Sequence, residues 1–120
     1  MLEVLTAADN IVEVALKGNI RSHDFAPIRQ HIDDLIAKYG AIRLLLDASE
    51  FDGWQDVEAA TAHFRFIQEH HHRVERIAVV GNRQWQYWLA AVVGVFLHSE
   101  VRCFAIEQKE EARRWLDEIE

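Results

Sequence analysis

The chain is poor in the residues that staple, break or link small proteins. A single cysteine, Cys103, rules out an internal disulfide, and such a chain is expected in a reducing cytoplasm. One proline, Pro27, and five glycines leave no Pro-rich or Gly/Ser-rich linker, so residues 1–120 are read as one domain. Basic residues are in deficit: 13 Lys and Arg face 20 Asp and Glu, for a formal charge of −7. A surface of that sign repels nucleic-acid phosphates and anionic headgroups at long range. It argues against a nucleic-acid partner and leaves at most weak, hydrophobic contact with a membrane. The longest uncharged apolar run, residues 87–97, is too short to span a bilayer. Glu3 stands where a secretory signal would need a basic region, so no signal peptide is expected.

Catalytic fingerprints are also missing. There is no GxGxxG, no GxxxxGK followed by Ser or Thr, and no GxSxG, which removes the common nucleotide-binding and hydrolase signatures. His70, His71 and His72 look like metal ligands, but adjacent residues of a helix point about 100° apart and cannot converge on one ion. His63 and His70 share a face two turns apart, too far for one metal. The run fits a helix C-terminus, where cations are favoured, with Arg73 adding to it. Asp47 and Glu100 follow no spacing that suggests acid–base work. The expectation is a protein that is not an enzyme and that holds no metal and no cofactor.

What is present is a clear alternation of strand and helix. Residues 2–6 and 11–17 read as a hairpin, with Ala7-Ala8-Asp9-Asn10 as its turn. In the second strand Val12, Val14 and Leu16 alternate with Glu13, Ala15 and Lys17, the pattern of a half-buried antiparallel strand. A helix follows over about 24–39, with Phe25, Ile28, Ile32, Leu35, Ile36 and Tyr39 on one face, Asp24 as cap and Gly40 as stop. Residues 42–47 form an apolar run covered on both faces and ending at Asp47. Helices are expected over 56–72, 83–97 and the C-terminus, and strands over 77–80 and 101–106. The order β-β-α-β-α-β-α-β-α gives an α/β fold: a mixed sheet with an antiparallel N-terminal hairpin and parallel β-α-β crossovers.

Four stretches give this order a family resemblance. They are Gly18 with the Asp24-Phe25 helix; Arg43-Leu44-Leu45-Leu46-Asp47; Glu75-Arg76-Ile77-Ala78-Val79-Val80-Gly81 running into Trp85 and Trp88; and Val101-Arg102-Cys103-Phe104 with Ala112-Arg113-Arg114-Trp115-Leu116. Together they resemble the small SpoIIAA-like proteins of the STAS/SEC14-like (CRAL-TRIO-like) superfamily. The resemblance implies that fold and binding of small hydrophobic ligands, with membrane association also proposed for the group. Anti-sigma-factor antagonists of the same fold switch by phosphorylation of a serine that follows an Asp, at the start of the helix after the central strand. In 47–54 the residue after Asp52 is Gly53, and Ser49 is flanked by Asp47, Glu50 and Asp52, a like-charge setting that opposes a phosphate. The switch is therefore not expected here.

The helix over 83–97 is the least ordinary feature, because from Tyr87 to Leu97 it carries no charge. A surface helix keeps a polar face, so this one is buried, covered by a second subunit, or turned toward an apolar ligand. The leading expectation is a non-enzymatic domain for a small, lipid-like ligand. Its pocket is walled by Trp85, Trp88, Leu89, Val92 and Phe96, and closed by Phe51 and Trp54 in a loop after the central strand. The alternative is a STAS-type interaction module in which the same helix is a homodimer or partner surface. Gly81-Asn82-Arg83 leads into a helix N-terminus but reads as a turn and cap. Cys103 reads as a buried structural thiol, and Glu110, Glu111, Arg113, Arg114, Asp117 and Glu118 as a solvated face.

Overall fold

The hairpin that opens the chain is formed by β1 (Leu2–Ala8) and β2 (Ile11–Ile20), paired antiparallel in a computed structural model that describes residues 2–81 and 100–118. Asp9 takes φ +53° at the turn, a left-handed conformation that short polar side chains tolerate. α1 (Phe25–Tyr39) follows, burying Phe25, Ile28 and Ile32. Pro27 lies in its first turn, where a missing N–H breaks no helical bond. The chain enters α1 through a 3-10 turn, Ser22–Asp24, which corrects the capping role expected of Asp24. Its carboxylate turns back to accept the Arg21 N–H at 2.9 Å, so it serves the 3-10 turn rather than α1. Gly40 stops the helix at φ +83°, donating its N–H to the Ile36 carbonyl at 2.7 Å.

β3 (Ile42–Trp54) is 13 residues long and overruns the end expected at Asp47. It pairs in parallel with β4 (Val74–Val80) only as far as Asp47 opposite Val80, yet stays beside β2 to Ile20 opposite Trp54. Two bulges make this possible: Ala15 to Lys17 on β2 faces Asp47 to Glu50 on β3, and Gly18 to Ile20 faces Phe51 to Trp54, each one residue more on β3. α2 (Val57–His70) then begins under the cap of Asp56, whose carboxylate accepts the Ala59 N–H at 2.9 Å. A 3-10 turn, His71–Arg73, leads into β4. β5 (Glu100–Phe104) and α3 (Lys109–Asp117) complete the described elements. The five-stranded sheet has the order β1-β2-β3-β4-β5, parallel throughout except for the first pair. This is the expected α/β architecture; the helix expected over 83–97 lies outside the described residues.

Alternation sends each strand's residues to two separate apolar layers. On one face Val12, Val14 and Leu16 of β2, Leu44 of β3, and Ile77 and Val79 of β4 pack with Phe25, Ile28 and Ile32 of α1 and Phe66 of α2. The Phe25 and Phe66 rings lie 5.9 Å apart, and the Arg29 guanidinium sits over Phe66. On the other face Leu45, Ala78, Val80 and Phe104 pack against Ala112, Trp115 and Leu116 of α3. β2 is therefore buried on both sides, Glu13 and Ala15 included, and not half-exposed as its alternation suggests. Cys103 also departs from expectation, since it is exposed on β5.

Candidate functional site

Charge gathers on the α3 face of the sheet, at and below the point where β3 leaves β4. Asp47 stands at that point, with both carboxylate oxygens engaged. Oδ1 accepts the Ser49 hydroxyl at 2.6 Å and the Ser49 N–H at 3.0 Å, while Oδ2 accepts Lys109 Nζ at 2.7 Å. Partial burial alone would raise the Asp47 pKa, but the hydrogen bonds from Lys109 and Ser49 outweigh it and hold the carboxyl below the ordinary Asp value. A carboxylate so held is a weak base, and its charge is already compensated. Ser49 is a bulge residue within β3, not a loop or helix-capping residue.

This geometry has a pH signature. A group whose folded pKa is depressed stabilises the fold fully above its unfolded value and loses that contribution as pH falls through the folded one. Asp47→Asn is expected to cost about 1–2 kcal/mol at pH 7. That difference should shrink toward zero as the pH drops below the ordinary Asp value of 3.8. Urea midpoints of both proteins across a pH series check this. A gap that does not change with pH would mean that the carboxylate charge is not the stabilising element.

Further along the same face the sheet grips α3. Arg113 of α3 meets Glu13 of β2 in a two-pronged pair, Nε to Oε2 at 2.9 Å and Nη2 to Oε1 at 3.0 Å, and also bonds Glu110. At the other end of the helix, Arg43 Nη1 donates to the carbonyls of Leu116 at 2.5 Å and Glu118 at 2.7 Å. Arg76 Nη1 donates to the Trp115 carbonyl at 2.7 Å. The Arg76 and Arg102 guanidiniums lie 5.1 and 5.4 Å from the Trp115 ring centroid. Two arginines of neighbouring strands thus bond the carbonyls at the C-terminal end of the helix, where the Trp115 carbonyl also accepts the Glu118 N–H at 3.3 Å.

Of the seven residues expected to form a site, Phe51 and Trp54 are among the described residues. Phe51 is in β3 and 3% exposed, packed in the α1–α2 layer, which corrects its placement in a loop. Trp54 is the last residue of the same strand. Trp85, Trp88, Leu89, Val92 and Phe96 lie outside the described residues, as do Asn82 and Arg83. The solvated face expected of α3 holds at Glu110, Glu111, Arg114, Asp117 and Glu118, which are exposed, and needs correction at Arg113, which serves a half-buried pair with Glu13. Glu13, Arg43, Arg76 and Lys109 were not singled out from sequence. Their signal is positional: 43, 45 and 47 share one face of β3, and 76, 78 and 80 share the matching face of β4. No group of three His, Cys, Asp or Glu among the described residues is arranged to hold a metal ion.

A family profile described as SpoIIAA-like matches residues 11–117. The chain belongs to the SpoIIAA-like family. Solved structures agree on the fold. An uncharacterised protein with a SpoIIAA-like fold from Shewanella loihica PV-4 is 23% identical, with a TM-score of 0.79 over 97% of this chain and 92% of that one. The Bacillus cell-fate determinant SpoIIAA, in its phosphorylated form, is 12% identical, with a TM-score of 0.62 over 96% of this chain and 99% of its own. The anti-sigma factor antagonist SpoIIAA in its unphosphorylated form gives a TM-score of 0.58 at 12% identity, over 95% and 98% of the two chains. Identities of this order speak for the SpoIIAA-like fold alone. No curated protein matches the chain in sequence. No helix among the described residues is long and apolar enough to cross a membrane.

Proposed function

We propose that this SpoIIAA-like protein is a non-enzymatic regulatory module that works by binding protein, in the first instance a second copy of itself, through the uncharged segment 87–97. The observation that carries the reading is the match of the whole fold to SpoIIAA, described as an anti-sigma factor antagonist. The module works without a phosphoserine switch. The helix after the central strand starts at Asp56-Val57, and its first turn, Val57-Glu58-Ala59-Ala60, contains no hydroxyl. The Asp56 carboxylate is already bonded to the helix N-terminus, where a phosphate would otherwise be favoured.

A second reading has one observation in its favour, the run of residues 87–97 without a charge. Here Trp85, Trp88, Leu89, Val92 and Phe96 line a pocket for a small apolar ligand, with Trp54 at its rim. The burial of Phe51 weighs against its share in that rim. One experiment separates the readings: native mass spectrometry and size-exclusion chromatography of the wild type and Trp88→Glu. The module reading expects a wild-type dimer and a folded, monomeric variant. A wild-type monomer carrying an apolar adduct that the variant loses without changing size would overturn it in favour of the ligand.

A further inference from the structure

We propose that α3 is a strap fastened to the sheet by charge as well as by its Trp115 anchor, opening as a unit ahead of the rest of the fold and uncovering the second face of the sheet. A helix of 9 residues cannot hold itself together in water, so α3 depends on its docking. Its buried residues are Ala112, Trp115 and Leu116, of which Trp115 alone is large and aromatic. The described polar contacts that tie it to the sheet are ionic or charge-assisted and reach three strands: Arg113 to Glu13 on β2, Lys109 to Asp47 on β3, and Arg43 and Arg76 of β3 and β4 to its last carbonyls. The first two fasten its N-terminal half and the last two its C-terminal end.

The opposite face is built differently. α1 and α2 are held by a continuous apolar layer that includes Val12, Val14, Leu16, Ile32, Leu44 and Ile77. Salt screens exposed and half-exposed ion pairs but leaves apolar burial in place, so the two faces have separate sensitivities. Arg113 and Lys109 are open enough to feel it, at 39% and 27% side-chain exposure. Opening moves α3 about the short 3-10 turn Ile106–Gln108 and exposes Leu45, Ala78, Val80 and Phe104. The first layer stays closed. The inference uses contacts among described residues and is independent of what segment 87–97 binds.

Native-state hydrogen exchange of the full chain, followed by amide at low salt and at about 1 M NaCl, tests it. The α3 amides from Ala112 to Asp117 should exchange faster than those of Leu44 and Val79 and accelerate about threefold with salt, while the sheet amides hold steady. Glu13→Gln, which keeps size and removes the charge facing Arg113, should accelerate the same α3 amides at low salt and blunt their response to added salt. Exchange of α3 in step with the sheet at every salt concentration would overturn the strap. Fast α3 exchange indifferent to both salt and Glu13→Gln would overturn its ionic fastening.

Discussion

Replacing Trp115 with Ala is expected to release α3 while the sheet, α1 and α2 stay folded. Truncating a buried Trp costs about 3–5 kcal/mol. Here the ring also lies 6.0 Å from Phe104 and beneath the guanidiniums of Arg76 and Arg102, contacts that vanish with it. Ala112 and Leu116 remain as apolar anchors, too little for a 9-residue helix. The far-UV spectrum should lose the signal of one short helix, and amides 109–117 should exchange nearly as in an unfolded chain. Once α3 is loose, further damage to it has nothing left to remove. Adding Leu116→Ala should therefore lower the global midpoint no further than Trp115→Ala alone. A variant in which α3 keeps its protection, or in which every probe collapses together, would contradict this.

Ile32→Ala should behave in the opposite way. Ile32 is 2% exposed, and its side chain packs within the layer that joins α1 to β2, β3 and β4. Removing its outer methyl groups should cost about 2–5 kcal/mol, a large share of the roughly 5–15 kcal/mol available to a domain of this size. The melting temperature should fall by about 10–20 °C. Tryptophan fluorescence, far-UV signal and exchange in both layers should shift together, because this layer holds the strands that everything else is built upon. A Tm within a few degrees of the wild type would mean that the layer closes around the gap or that Ile32 packs less tightly than its burial implies.

The sequence made most of the fold readable and little of the site. The hairpin turn follows from Asp9 and Asn10, α1 from the spacing of Phe25, Ile28 and Ile32, and the central strand from the apolar run 42–46. The second half of β3 hides because the first bulge breaks the alternation around Ala48 and Ser49, and because Glu50 and Asp52 make the stretch look like a loop. Glu13 looks solvent-facing because period two tells which face a residue takes, not what covers that face. Arg113 looks solvated for a related reason: its partner lies 100 residues earlier in the chain. Local patterns carry no trace of such a pair. Exposed Cys103 belongs to a short strand whose apolar neighbours suggest more cover than it has.

The sheet order repeats the chain order, and this bears on how the molecule is made. Every described strand lies beside the one synthesised just before it, so as the chain leaves the ribosome each new strand finds its template already laid down. No early strand waits with an open edge for a distant partner, which limits the time in which half-made sheets can stick to one another. The contacts of α3 are different: Lys109 reaches back 62 residues to Asp47 and Arg113 reaches back 100 residues to Glu13. Neither can form until α3 has emerged, which makes the docking of α3 a later event than the laying down of all five described strands.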